Sequence, residues 1–183
     1  MNIFFTFTLG RVLIRKNTKN SVLINMKTGN NILGFGMMID CSVGKDSIYT
    51  IHGFDGFKFR SFSGELLLDL TNQTFFHIGS INNGVAAYIP KLGGKAGILD
   101  KNGKVIIGPK YDHLKFITSI RNTSFYIAKT ESKVGVIDQE GKLIIPIQYD
   151  HIHIFENMFV ADCYNDKNTI GSRDYYSDKG MLL

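Results

Sequence analysis

The sequence predicts an all-β protein built from about five repeats of about 37 residues, each holding about four short strands. Three observations carry that reading. The stretch Lys95–Leu114, KAGILDKNGKVIIGPKYDHL, returns 38 residues later as Lys133–Ile152, KVGVIDQEGKLIIPIQYDHI. Ten of the twenty aligned positions are identical and five more exchange one aliphatic residue, or Ala, for another, far above chance. A fixed period of 20–50 residues marks stacked or radial repeat architectures. Turn glycines at 29, 64, 103, 141 and 180 then lie 35, 39, 38 and 39 residues apart, so the period spans the chain. Finally, no window places apolar residues at i, i+3, i+4 and i+7, which leaves little room for helix.

Taken in order, the units run approximately 1–34, 35–70, 71–109, 110–147 and 148–183, all within one domain. The opening MNIFFTFTLGRVLIRK alternates Phe with Thr, and has neither a basic leader nor a small-residue cleavage site. It reads as the first strand pair of a cytoplasmic protein rather than a secretory signal, and its apolar run is too short to span a membrane. Val22–Lys27 and Ile32–Phe35 flank Gly29, and Phe57–Phe62 and Glu65–Leu70 flank Gly64. In the two best copies Asp100 and Asp138 precede Gly103 and Gly141 by three residues. Asp at the first and Gly at the fourth position is a type I turn signature, closed by a left-handed Gly. Ala96–Leu99 and Val105–Ile107 are the β-branched and aliphatic flanks of that hairpin.

Between hairpins lies a second strand pair: Phe75–Ile78 with Val85–Ile89, Tyr111–Ile117 with Phe125–Lys129, and Tyr149–Phe155 with Met158–Ala161. Tyr175–Gly180 leads into Met181–Leu183 as the last hairpin. A ring of such units would resemble a small propeller, and an open curved array is the alternative.

Composition narrows the function classes. An apolar content of 44% with 20% charged residues is that of an ordinary globular domain. The net charge of +5 is too modest to mark a nucleic-acid binder, even with Arg11, Arg15, Lys16, Lys19 and Lys27 close together behind Phe4, Phe5 and Phe7. Charges on a strand edge block edge-to-edge pairing, the simpler use for that cluster. Cys41 and Cys163 stand alone, without metal-ligand spacing, and read as reduced thiols, a disulfide being the alternative. Nucleophile elbow, P-loop, dinucleotide and HExxH motifs are absent from the sequence. Gly34–Gly36 and Gly93–Gly94 precede no helix that could cradle phosphate. No cofactor is expected.

The pattern Gly97, Asp100, Gly103, Pro109, Tyr111, Asp112, repeated as Gly135, Asp138, Gly141, Tyr149, Asp150 with Pro146 one place early, resembles the WG-repeat family. The resemblance covers about residues 95–152. It implies a bacterial β-repeat protein that mediates interactions, and it transfers no catalytic residue. The Trp of that pattern is Ala96 in one copy and Val134 in the other. The lost indole implies altered packing that Phe116, Phe125 or Phe155 would have to fill.

Several tempting groups have structural readings. The Tyr111–His113 and Tyr149–His151 triplets recur at one repeat phase, and neighbouring strand residues face opposite ways, so a corner role is expected rather than a dyad. His151 and His153 form an H-x-H, yet a zinc site needs three or four ligands and only Cys163 offers itself. His52 and Asp55 sit in a Gly-rich turn.

Segments that break the repeat are where function is sought: Met37–Phe57, Lys115–Thr123 and Asp162–Tyr176. Arg and Tyr most often anchor interfaces. Arg173, Asp174, Tyr175 and Tyr176, with Lys115 and Arg121, are therefore the expected protein-binding residues; a polar capping face is the competing use. The expected function is a non-enzymatic module that binds another protein. Its size and family setting suit an immunity protein neutralising a cognate bacterial toxin. The alternatives are an enzyme using His52, Asp55, His77 or His113 in the ring mouth, or a carbohydrate or small-ligand binder on exposed Tyr and Phe faces.

Overall fold

The protein is described by a computed structural model. It describes residues 5–8, 11–17, 20–25, 31–35, 38–53 and 55–183, with side chains at 42, 44–53 and 55–183. The hairpin turn at Gly29 lies outside the described residues, as do Lys19, Lys27 and Phe4.

Among the described residues nineteen strands form five antiparallel sheets, with no helix. The first sheet holds β1 (Phe5–Thr8), β2 (Arg11–Asn17), β3 (Asn20–Asn25) and β4 (Asn31–Phe35). The second holds β5 (Met38–Val43), β6 (Tyr49–Gly53), β7 (Gly56–Arg60) and β8 (Leu66–Asp69). The third holds β9 (His77–Ile78), β10 (Val85–Ile89), β11 (Ala96–Asp100) and β12 (Val105–Tyr111). The fourth holds β13 (His113–Ile120), β14 (Thr123–Thr130), β15 (Lys133–Asp138) and β16 (Leu143–Tyr149). The last holds β17 (His151–Phe155), β18 (Met158–Tyr164) and β19 (Ile170–Tyr176). Its fourth strand shrinks to a single bridge from Tyr176 to Leu182. Strands pair in chain order within every sheet, so each sheet is an up-and-down meander.

Local chemistry explains the hairpins. The Asp100 carboxylate accepts the amides of Asn102 and Lys104, both at 2.8 Å, while Gly103 donates to the Asp100 carbonyl at 2.9 Å. Asp138 repeats this with Glu140, Lys142 and Gly141. Ser61 and Ser177 open equivalent turns that close at Gly64 and Gly180, with a hydroxyl in place of the carboxylate. All four glycines are left-handed, which a Cβ disfavours.

These turns also touch the preceding sheet. A Cβ on Gly103 would meet Leu68 and Leu70, one on Gly141 would meet Ile107, and one on Gly180 would lie 2.3 Å from the Ile144 carbonyl oxygen. The hairpin tip of each of the last three sheets therefore rests on the fourth-strand side of the sheet before it.

The third strands of the third and fourth sheets are sandwiched. β11 and β15 are buried on both faces, which is why they read as aliphatic runs rather than alternating ones. β12 and β16 lie at sheet edges, where Pro109 and Pro146 cost no ladder bond to a further strand. Three clusters of buried side chains fill the spaces between successive sheets. In the second, Val85, Ile98 and Ile107 meet Leu114, Tyr126 and Ala128; in the third, Phe125, Val136 and Ile145 meet Ile152, Phe159 and Ala161.

Glycine substitutions at the turns should grade by contact. Gly180→Ala combines positive φ with a backbone clash and is expected to cost well over 2 kcal/mol, roughly the ceiling for left-handed strain alone. Gly84→Ala has the same handedness but open space around it, so about 1 kcal/mol is expected. Urea denaturation of the two variants checks this order; equal losses would contradict the tip-on-strand contact.

Candidate functional site

The third and fourth sheets each hand over to the next through a Tyr-Asp pair. Tyr111 closes β12 opposite Ala96, and Tyr149 closes β16 opposite Val134, both phenol rings being buried. The Asp that follows turns the corner. The Asp112 carboxylate accepts from the Lys95 ammonium and from the Glu131 amide at 2.5 Å, while its own amide donates to the Lys129 carbonyl. Asp150 accepts from Lys133 Nζ at 2.6 Å and from the Tyr164 amide at 2.8 Å, and its amide donates to the Asp162 carbonyl. In both corners the lysine belongs to the earlier sheet and the amide to the later one. One carboxylate thus ties two sheets, and the lysine first, then the amide, holds its pKa below the ordinary value. Neither Asp faces the histidine beside it, so the triplets form no dyad.

The last sheet has two unlike faces. One packs on the fourth sheet through Ile152, Ile154, Phe159 and Ala161. Asp174 and Tyr176 join that face. The Tyr149 hydroxyl donates to Asp174 Oδ2 at 2.6 Å, and its oxygen lies 2.6 Å from the Tyr176 hydroxyl, which then donates to it. Burial first, then the two bonds, push the Tyr149 phenol far above its ordinary pKa. These two sequence candidates are therefore parts of the joint between sheets.

The other face carries His151, His153 and Phe155 on β17, Val160, Asp162 and Tyr164 on β18, and Arg173 and Tyr175 on β19, as the register requires. Arg173 donates to both oxygens of Asp162, at 2.6 and 3.1 Å, and Asp162 is 3% exposed. That pairing lowers the Asp162 pKa and raises that of Arg173. Phe155 is 58% exposed at one end of this sheet, Tyr164 and Ile170 are exposed at the other, and Tyr175 is exposed on β19.

Of the remaining candidates, Arg121 sits in the β13–β14 turn beside Asn122, both left-handed, with its guanidinium 3.9 Å from Asp178. Lys115 lies elsewhere, lining a cavity. This cavity of about 600 Å³ is walled by Gly44 and Lys45 after β5, by His77 through Asn82, by β10, and by His113 to Phe116 on β13. Tyr126 and Ala96 complete it. His52 and Asp55 are not part of it: His52 stacks on Phe57 at 4.2 Å, and Asp55 pairs with Lys58 at 2.7 Å.

Residues 97–132 and 135–159 match the family model of the WG containing repeat. Those two stretches carry the WG-repeat pattern. No curated protein matches it in sequence. Among solved structures it is similar to Kluyveromyces lactis Hsv2, a β-propeller, with a TM-score of 0.53 at 9% identity over 95% of this chain and 59% of that one. A second structure of Kluyveromyces lactis Hsv2 gives 0.52 at 10% identity over 100% of this chain and 61% of that one. The chain thus spans about three fifths of those structures, and at such identity the likeness is one of propeller-like fold.

The WG pattern gives the cavity a cause. Ala96 occupies the Trp position of its repeat, is 2% exposed, and forms part of the cavity wall. Phe116 and Phe125 do turn inward, edge-on to Tyr126 and Phe159. Phe155 does not: it stands in solvent because its strand position faces away from the fourth sheet, which corrects the expectation that it refills the Trp space.

Sequence spacing also missed one partner. His151, His153 and Asp162 bring ligand atoms within 4.8 Å of one another, the group among the described residues able to hold a metal ion. Asp162 lies opposite His151 across a strand pair, a neighbour that only register reveals. Both of its oxygens are taken by Arg173, so a cation would sit beside a guanidinium charge, and the ion pair is the favoured occupant.

The depressed carboxyls fix a pH dependence. Asp112, Asp150 and Asp162 titrate lower in the folded state, so the unfolded chain binds more protons between the folded values and about 3.9. Their stabilisation is fully present above about pH 5 and is lost as pH falls through the folded values. Replacing Arg173 by Met strands a buried carboxylate and is expected to destabilise the fold at neutral pH. The loss should narrow as Asp162 is protonated. Urea unfolding of both proteins between about pH 6 and 2 measures it; a loss independent of pH would contradict the pairing.

Proposed function

We propose that this chain is a non-enzymatic WG-repeat module that binds another protein through the outward face of its last sheet. A change in what successive sheets present is the observation that carries this reading. In the fourth sheet, the face turned to the following sheet offers Ile127, Val134 and Val136, which pack with Ile152, Phe159 and Ala161. The matching rows of the last sheet offer Val160 with Tyr175 and the Asp162–Arg173 pair, set among exposed Phe155, Tyr164 and Ile170. Such a face is unsuited to another copy of the repeat. Exposed aromatics beside a fixed guanidinium are the anchors that protein interfaces favour.

The partner set is narrowed by size and family. A cytoplasmic binder of this length suits the role of an immunity protein that occludes a cognate toxin. Arg173 acts there mainly by fixing the face, since its guanidinium is committed to Asp162; Tyr175 and Phe155 are the free anchors.

Affinity capture from native lysate, followed by titration with the captured partner, tests the reading. The native protein and a Leu92→Ser control, altered at a residue 77% exposed on another sheet, should bind alike. A Phe155→Ser/Tyr175→Ser variant should lose at least about tenfold, or about 1.4 kcal/mol. Equal binding by that variant would overturn the proposed face.

A further inference from the structure

The cavity beside Ala96 has a chemistry of its own, independent of the outward face. Its volume of about 600 Å³ falls in the range of small-molecule sites, roughly 300–1,000 Å³. Three successive sheets contribute walls, and small residues keep it open: Gly79, Ala87 and Ala96 project little or nothing into it. Gly44 brings the β5–β6 loop against the Ile81 carbonyl, where a Cβ would lie 1.5 Å from the oxygen. The mouth is thus shaped by backbone approach as well as by the missing indole.

All four titratable lining groups other than the phenols are basic in type: Lys45, Lys115, His77 and His113. Among the described residues no carboxylate lines the space, although the charge of Asp46 reaches the Tyr126 phenol. The two carboxylates next to it in sequence are already bound elsewhere. Asp46 accepts the amides of Asn83 and Gly84 across to the third sheet. Asp112 is held by Lys95 and Glu131. Lys115, His77 and His113 make no side-chain hydrogen bond or ion pair among the described residues. Lys45 lies with its ammonium 5.8 Å from the centre of the Phe116 ring. The phenols of Tyr88 and Tyr126 are raised in pKa by burial and stay neutral, so they add apolar surface and no negative charge.

We infer that this cavity binds a small organic anion, its apolar or aromatic body beside Phe116, Tyr88 and Tyr126 and its acidic group toward Lys45 and Lys115. A partly enclosed site lined by one sign of charge raises the local concentration of the opposite ion. An apolar body seated on aromatic walls excludes the water that would otherwise screen the pair.

Titration with anilinonaphthalene sulfonate, a fluorescent aromatic anion, tests this, with uncharged N-phenylnaphthylamine in parallel. The native protein is expected to bind one equivalent of the anion saturably, more weakly as salt rises, and to prefer it over the neutral dye. Ala96→Trp refills the space and should weaken the anion at least about tenfold; Lys45→Gln/Lys115→Gln should do the same without changing the volume. Phe155→Ser/Tyr175→Ser should leave it unchanged, which separates this site from the outward face. Equal affinity for the neutral dye overturns the inference, and so does full binding by the double lysine variant. Loss of binding in the Phe155→Ser/Tyr175→Ser variant overturns it too. Should Ala96→Trp fail to fold, the lysine variant and the dye comparison still decide.

Discussion

The last three sheets are joined by one kind of corner, a carboxylate where a fourth strand gives way to the next first strand. A four-stranded meander of about 35 residues cannot bury two apolar faces by itself and needs a neighbour on each side. Asp112 and Asp150 fix where that neighbour sits, because each accepts one bond from a lysine behind it and one from an amide ahead of it. The buried Tyr before each Asp and the glycine tip resting on the preceding sheet set the same spacing from two other directions. Surface ion pairs usually contribute little. These differ in that the amide fixes the geometry and the lysine supplies the charge.

Repetition and chemistry divide cleanly along the chain. What recurs, the Asp-to-Gly turn and the Tyr-Asp corner, is structural, while His113 beside one corner lines the cavity. What fails to recur is what the proposed binding role draws on. Lys115 becomes His153 in the next unit, Lys129 is matched by Asp162, and Val134 by Arg173, so the last sheet turns a charged and aromatic face outward. One repeat earlier the missing indole at Ala96 opens a basic cavity. The two sites lie on different sheets and can be altered separately.

Much of the fold was legible because its signals are local. Asp100 with Gly103 specifies a turn regardless of what surrounds it, and Asp138 with Gly141 confirms the phase. Ser61 and Ser177 perform the same turn with a hydroxyl, a weaker signal that only the glycine spacing exposed. The sites were less legible because they depend on register and on facing. Arg173, Asp174, Tyr175 and Tyr176 form one run in sequence, yet alternation sends Asp174 and Tyr176 inward to Tyr149 and the other two outward. Asp162, the partner of Arg173, lies across a strand pair. Lys115 seemed a loop cation and instead lines the cavity, because β13 is eight residues long and carries it along the wall. The cavity itself could be read only as an absence, an Ala where the repeat pattern has Trp.

Amide hydrogen exchange in the Asp112→Ala variant tests the corner joint most directly. In the native protein the Glu131 and Tyr164 amides should both be protected, since each donates to a corner carboxylate. Removing the Asp112 carboxylate should release Glu131, together with its flanking β14–β15 turn, while Tyr164 stays protected by Asp150. Unchanged protection at Glu131 would contradict the role given to these carboxylates, and so would loss of protection at both amides in step.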